Sequence, residues 1–213
     1  MGALLLCSGG LDSTTVGFWL VEKQISFRPV FFDYGQHCVE KEWETVQKVL
    51  PSSDLVSQVL RIDISSIYQH STSRLIAEPN LWKERVEDDE LYIPYRTLLF
   101  FSVGACIAQT RGFDTVYSGF INSNHAKELD CSATFLNGLE SLSRNLGPIR
   151  FELPFRDWSK ADVVRRASEL NVPIGRTYSC QLFSDTPCGA CPNCVERLTA
   201  IESVNHELPQ IRE

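Results

Sequence analysis

No apolar run in this sequence reaches the ~20 residues that a membrane-spanning helix needs, which excludes a helical membrane protein. Residues 1–6 are apolar, but no basic region precedes them and they run straight into Ser8-Gly9-Gly10. No secretory signal is read there, and the expected location is cytoplasmic. Basic charge is in short supply. Lys and Arg total 20 against 27 Asp and Glu, a formal net charge of -7. Nonspecific nucleic-acid affinity rests on phosphate contacts, so nucleic acid is not an expected partner. The sequence also lacks an internal repeat, a low-complexity tract, a Walker-type Gly-Lys-Ser/Thr and a G-x-G-x-x-G fingerprint.

What is present is an ordinary globular composition, 43% hydrophobic and 22% charged over 213 residues. That length suits one domain with a small appendage, and it can bury a core without disulfides. Eight cysteines in a chain of this kind point to metal or chemistry before disulfides.

Hydrophobic periodicity alternates between short apolar strands and amphipathic helices. Strands are expected at 2–7, 27–33, 55–64, 114–118 and 150–154. Helices are expected at 12–23, with Val16, Trp19 and Leu20 on one face, and at 40–50, closed by Pro51. Further helices are expected at 96–109, strongly apolar and packed on a sheet, and at 132–145, ended by Gly147-Pro148. The last two are 160–170, with Ser159 as its N-cap, and 195–204. Segment 65–93 is less regular, and the charged run 83–90 reads as a solvated face.

Strands separated by helices imply an α/β fold: a mainly parallel sheet of about five strands with helices on both faces. Such sheets bind ligands at the carboxyl ends of their strands. The domain boundary is expected near 179/180, an α/β domain over 1–179 and a metal-binding element over 180–213 packed on it.

The first strand, ending at Leu6 and Cys7, runs into Ser8-Gly9-Gly10-Leu11-Asp12-Ser13-Thr14, where a helix begins. Two glycines let the backbone turn tightly toward an anion. The helix start then offers free N–H groups and a partial positive charge, with Ser8, Ser13 and Thr14 adding hydroxyl donors. A Gly-Gly turn capped by Asp12 or Ser13 is the plainer reading.

Cys180 is followed by Cys188, Cys191 and Cys194, a C-x7-C-x2-C-x2-C cluster within positions 180–194. Thiolates at steps of three wrap around one ion, and four sulfurs with no open position describe structural zinc. An iron–sulfur cluster is the rival, and a disulfide pair or free thiols the bland alternative. Cys7 and Cys106 lie in apolar segments and read as core.

Ser8-Gly9-Gly10-Leu11-Asp12-Ser13 resembles the SGGxDS signature of the PP-loop ATP pyrophosphatases. That resemblance implies a Rossmann-like, adenine nucleotide alpha hydrolase-like fold and cleavage of ATP to AMP and pyrophosphate. The loop from Leu6 through Thr14 would then bind ATP, with Asp12 helping to position magnesium and Ser13 acting beside it.

With the cysteine knuckle added, the chain resembles the 7-cyano-7-deazaguanine synthase (QueC) family over nearly its whole length. Phe32-Asp33-Tyr34-Gly35-Gln36 matches that family's FDYGQ, Ile93-Pro94-Tyr95-Arg96 resembles its VPGR, and Asp130-Cys131 resembles the DC of its substrate loop. The segment from Pro154 through Lys160 to Thr177-Tyr178-Ser179-Cys180 resembles its last strand, helix and entry to the knuckle.

The resemblance implies a 7-carboxy-7-deazaguanine substrate, adenylation of its carboxylate by ATP, and attack by ammonia to give an amide. A second ATP then carries the amide to the nitrile. It also implies zinc on the four cysteines, magnesium with ATP, and a homodimer.

Site roles follow in the same terms. Lys160 reads as a cation facing the phosphates or as a solvated helix residue. Asp130 reads as an acceptor for the guanine-like edge or as a surface aspartate. Arg96 holds the acid or a phosphate, or lies on the surface. Phe32 and Tyr34 stack on a base or close a strand end. His37 and His125 carry little signal.

Three stretches depart from the family. Gln36-His37-Cys38 replaces Gln-Arg-His, Tyr95-Arg96-Thr97 replaces Gly-Arg-Asn, and 122–132 replaces a TDFSGYPDCR-like run. All three lie on the acceptor side. They fit a changed acid or a changed nucleophile, such as the protein amine expected of QueC-like proteins in type IV CBASS antiphage operons. A tRNA-modifying PP-loop enzyme and a non-catalytic zinc scaffold are the readings from other classes.

Overall fold

The computed structural model describes residues 2–77, 88–121, 132–182 and 186–207. In chain order the elements are β1 (Ala3–Leu6), α1 (Leu11–Glu22), β2 (Phe27–Asp33), α2 (Val39–Val49), α3 (Ser53–Ser57), β3 (Leu60–Asp63) and α4 (Ser65–Tyr68). After a 3₁₀ turn at Asp88–Leu91 come α5 (Arg96–Thr110), β4 (Thr115–Ser118), α6 (Ala133–Leu146), β5 (Arg150–Glu152) and α7 (Lys160–Glu169). A second 3₁₀ turn, Ile174–Arg176, leads to α8 (Pro192–Glu207).

The five strands form one sheet in the order β3-β2-β1-β4-β5, every neighbour parallel. Ala3 of β1 pairs with Phe27 on one side and Thr115 on the other, so β1 is the central strand. Chain order reverses at β1, which opens a crevice beyond the carboxyl ends of β1 and β4.

Alternation along β1 divides the core. Leu4 and Leu6 join Phe101, Ala108, Val116 and Leu136 on the face covered by α5 and α6. Ala3 and Leu5 join Val16, Leu20, Val163, Ala167 and Val204 on the face covered by α1, α7 and α8. The all-buried pattern of β1 is what a parallel strand covered on both sides requires.

Three readings from sequence need correction. The strand expected over 55–64 is only Leu60–Asp63, and its first part is the short helix α3. There the Ser52 side chain accepts from the Leu55 amide at 3.3 Å, so a capped turn wins over an apolar β-prone run. The last helix begins at Pro192, not at 195, so Cys194 and Glu196 sit in its first turns. Cys106 is exposed. Phe101, Gly104 and Ala108 take the inner face of α5, and position 106 falls opposite Gly104 at 3.6 residues per turn. Most of the charged run 83–90 lies outside the described residues.

Helix α7 starts where expected, on a reciprocal cap. Ser159 Oγ accepts from the Asp162 amide at 3.2 Å, and the Asp162 carboxylate accepts from the Ser159 amide at 3.0 Å. This fixes Lys160 as the first residue of the helix, directed at the crevice.

Candidate active site

The turn after β1 is built for close approach. Gly9 has φ 76°, a left-handed conformation, and a Cβ there would come within 3.0 Å of the Thr45 side chain. Gly10 is the N-cap of α1 and has no side-chain cap. Thr14 is the first residue whose amide bonds back into the helix, to Gly10 O at 3.1 Å. Among the described residues the amides of Leu11, Asp12 and Ser13 have no hydrogen-bond partner. Ser13 Oγ lies within 3.3 Å of both the Ser8 amide and Gly10 O, which holds the turn open. From β4, Gly119 packs so tightly on this turn that a Cβ would sit 2.6 Å from Ser13 N and 2.7 Å from the Asp12 carbonyl carbon.

Asp12 projects from this helix start. Its Oδ2 accepts from Lys160 Nζ at 2.6 Å, and its Oδ1 is buried with no hydrogen-bond partner. A buried carboxylate oxygen without a partner is costly. It is also the atom a divalent cation takes, so Asp12 fits a magnesium ligand. Lys160 Nζ lies 3.6 Å from Glu196 Oε2 as well. Burial alone would lower the proton affinity of Lys160; the Asp12 and Glu196 carboxylates outweigh it and hold the pKa above its ordinary value. The ammonium therefore stays charged.

These groups line a cleft of about 350 Å³ that extends toward the ends of β2 and α5. Leu6, Cys7, Ser8, Gly10, Leu11, Asp12, Ser13 and Lys160 border it, as do Phe32, Tyr34 and Arg96. Gly9 and Thr14 do not. Thr14 is 1% exposed, so its hydroxyl is not offered to the cleft as the sequence led one to expect.

Phe32 stacks on Phe100 with ring centroids 4.7 Å apart, and Tyr34 packs against Phe100 at 5.5 Å. The Arg96 guanidinium lies 5.4 Å over the Tyr34 ring. Burial raises the Tyr34 phenol, with Arg96 pulling partly against it. Phe32 and Tyr34 thus stand at the end of strand β2, where both border the cleft. Asp130, Cys131 and His125 lie outside the described residues.

Sequence reasoning missed several cleft residues. Glu42 on α2 accepts from Gln36 Nε2 at 2.8 Å, and burial pushes its carboxyl up to about 7 against the pull of Gln36 and Arg96. Glu196 and Asn193 arrive from the first turns of α8, while Tyr178 and Gln181 flank Cys180. Only the early start of α8 held a signal, Pro192 at the first helical position.

The sulfurs of Cys180, Cys188, Cys191 and Cys194 all lie within 4.8 Å of one another. Sulfurs of a tetrahedral site with Zn–S of about 2.3 Å stand about 3.8 Å apart, so the cluster fits one ion. Backbone amides point at the ligands, from Cys188 to Cys180 Sγ at 3.4 Å and from Cys191 to Cys188 Sγ at 3.2 Å. This cluster is tied to the cleft. The Tyr178 amide donates to Gly9 O at 3.0 Å, and His37 Nε2 lies 2.8 Å from Gln181 O.

Comparison with known proteins places this architecture. The fold resembles a 4-thiouridine synthetase crystallised with RNA and bound ATP, with a TM-score of 0.55 at 19% identity. That match covers 98% of this chain and half of the other, so this chain spans half its length. Among curated proteins, the 7-cyano-7-deazaguanine synthase of Campylobacter hominis is 30% identical, covering 96% of each chain. That of Nitratiruptor sp. is 30% identical over 95% of this chain and 94% of its own. That of Archaeoglobus fulgidus is 31% identical over 94% and 85%. The model of the family described as Queuosine biosynthesis protein QueC matches residues 2–205. No helix among the described residues is long and apolar enough to cross a membrane. The chain therefore belongs to the QueC family, and it is an enzyme of the ATP-dependent C–N ligase class to which the 7-cyano-7-deazaguanine synthases belong.

Proposed function

We propose that this enzyme adenylates the carboxylate of 7-carboxy-7-deazaguanine and passes the acyl group to a nitrogen nucleophile. With ammonia the product is the amide, which a second ATP carries to 7-cyano-7-deazaguanine. The observation that carries this reading is the Asp12–Lys160 pair at the start of α1, beside three amides without partners and one orphaned carboxylate oxygen.

The chemistry divides along the cleft. A carboxylate is a poor electrophile until its oxygen carries a good leaving group. Its attack on the α-phosphate of ATP forms the acyl–phosphate bond and releases pyrophosphate. The amides of Leu11, Asp12 and Ser13 stabilise phosphate oxygens, and Lys160 stabilises the charge that builds on pyrophosphate. Asp12 would hold magnesium, which supplies further neutralisation of phosphate charge when bound. Arg96 and Tyr34 stand at the far end, suited to an acidic, aromatic substrate. Asp130 remains the proposed acceptor for the guanine-like edge. Cys180, Cys188, Cys191 and Cys194 would hold zinc, which would anchor Cys180 two residues from the Tyr178 amide that donates to Gly9 O.

Nitrogen then attacks the acyl carbon, and AMP departs with the electron pair of the broken C–O bond. A second acceptor, a protein amine as in QueC-like antiphage proteins, is favoured by the departures from the family pattern at 122–132 and at Tyr95-Arg96-Thr97. The test offers ATP, magnesium and 7-carboxy-7-deazaguanine with ammonia or a protein amine, and identifies the product by mass spectrometry. Nitrile, amide or conjugate supports adenylation of this acid. Unchanged acid with no AMP contradicts it.

A further inference from the structure

At the phosphate end of the cleft three charges form one set: Lys160 lies 2.6 Å from Asp12 and 3.6 Å from Glu196. Glu42, the carboxyl near Tyr34 and Arg96, stands outside that set. Its Oε2 accepts one hydrogen bond, from Gln36 Nε2 at 2.8 Å, and among the described residues Glu42 makes no ion pair.

Gln36 is itself fixed. It is 3% exposed, accepts from the Tyr34 amide at 2.9 Å, and donates to Phe32 O at 3.2 Å. The end of β2 thus holds the Glu42 carboxyl at the cleft wall through a rigid amide.

We propose that Glu42 is the general base that takes the proton from the nitrogen nucleophile, a primary ammonium, before it attacks the acyl adenylate. The proposal rests on the adenylation reading above.

The chemistry calls for such a group. An α-ammonium gives up its proton only near pH ~8 and a lysine-type ammonium near pH ~10, and while protonated neither has a lone pair. A carboxylate in a half-buried cleft draws the cation in and then removes the proton. Burial lifts Glu42 to about 7, close to the operating pH, where it is both ionised in good part and a useful acceptor. The ionisable groups facing it are Asp33 and Tyr34 from the end of β2, Cys38, Arg96 from α5, and Tyr178.

The step balances. Ammonium gives one proton to Glu42, and the freed lone pair forms the C–N bond. The C–O bond to phosphate breaks, AMP leaves with its electrons, and the second proton passes from nitrogen to the AMP phosphate or to solvent.

The test compares two half-reactions in the unmodified protein and in Glu42→Gln, which keeps an oxygen for Gln36. Acid-dependent exchange of pyrophosphate into ATP reads adenylation. Amide formation reads the amine step, with ammonium chloride and glycinamide offered in separate arms. In E42Q the amine step should fall about 10²-fold or more in whichever arm the protein accepts, well beyond any loss in exchange. The rise of amide formation through pH about 7 should disappear. Hydroxylamine, largely unprotonated at neutral pH, needs no base and should restore acyl transfer to within about tenfold.

Equal losses in exchange and amide formation, or a raised KM for the acid in exchange, would make Glu42 a recognition or structural residue and overturn the proposal. So would undiminished amide formation in E42Q. Absence of exchange in the unmodified protein would sink the adenylation reading itself, and the proposal with it.

Discussion

The ammonium of Lys160 lies 2.6 Å from the Asp12 carboxylate, although 148 positions separate the two residues in sequence. Neither is fully buried; their side chains are 15% and 25% exposed. The first residue of α7 therefore meets the first turn of α1 at the open edge of the cleft. Asp12→Ala should reduce AMP formation by about 10²-fold or more, because it removes the carboxylate proposed for magnesium and unbalances Lys160. Acid-dependent AMP release in a variant with an unchanged circular dichroism spectrum is the measurement. Retained turnover would remove Asp12 from the mechanism.

Gly119 allows β4 to meet that same turn. A Cβ at 119 would lie 2.6 Å from Ser13 N, and both its nearest neighbours are backbone atoms that cannot swing aside. Gly119→Ala should cost about 1–3 kcal/mol and weaken ATP binding by displacing the amides of α1. Denaturant unfolding and nucleotide titration check the two effects. A stable variant that binds ATP normally would show that the turn tolerates movement.

Tyr95 stands where the QueC pattern has glycine. It caps α5 with φ 61° and ψ 2°, and 76% of it is exposed. A left-handed tyrosine is strained by about 1–2 kcal/mol, while a glycine loses about 0.5–1 kcal/mol of chain entropy on folding. Tyr95→Gly should therefore raise stability slightly, by up to about 1 kcal/mol, or a few degrees in Tm. A fall in Tm would mean that the ring makes contacts worth more than the strain.

The Ser159–Asp162 box starts the helix that carries Lys160. Ser159→Ala should destabilise the protein by about 1 kcal/mol at neutral pH. Hydrogen bonds from the Ser159 hydroxyl and amide, with Arg165 nearby, hold the Asp162 carboxyl below its usual 3.8. A depressed carboxyl contributes stability that is present above its unfolded value and lost as pH falls through the folded one. The gap between unmodified protein and Asp162→Asn should hence be full near pH 6 and close below pH 3.8. Urea titrations across that range decide it; a gap independent of pH would show that charge plays no part.

Cys191→Ser should lower both zinc content and folding yield, since structural zinc contributes folding free energy directly. The same loss should weaken ATP binding, because Tyr178 N bonds Gly9 O at 3.0 Å and Gln181 O meets His37 at 2.8 Å. Metal analysis, thermal melts and nucleotide titration on one preparation test both parts. A metal-free variant with full stability would count against zinc.

Much of this architecture can be read along the chain because local chemistry and tertiary structure agree. An apolar strand breaking into Ser8-Gly9-Gly10 needs no long-range information to become a strand, a tight turn and a helix start. The cysteine spacing is equally local. Elsewhere two local signals compete. Over 55–64 the Ser52 cap takes the first residues into α3, and at the end of the knuckle Pro192 begins a helix where cysteine spacing dominates the eye. The cleft's charge pattern is harder still. Glu196 of α8 meets Lys160 of α7, and Glu42 of α2 comes under the influence of Arg96 of α5, only because elements far apart in sequence end at one edge of the sheet. Cys106 errs for a related reason: α5 is apolar nearly all round, and composition alone does not say which face is covered.

The central claim is that this cleft joins ATP to a deazaguanine carboxylate. Isotope exchange from labelled pyrophosphate into ATP, with and without 7-carboxy-7-deazaguanine and in the absence of any amine, addresses it most directly. Label should enter ATP only when the acid is present, and about 10²-fold or more slowly in Asp12→Ala. Incorporation that ignores the acid, or none in its presence, would contradict the account.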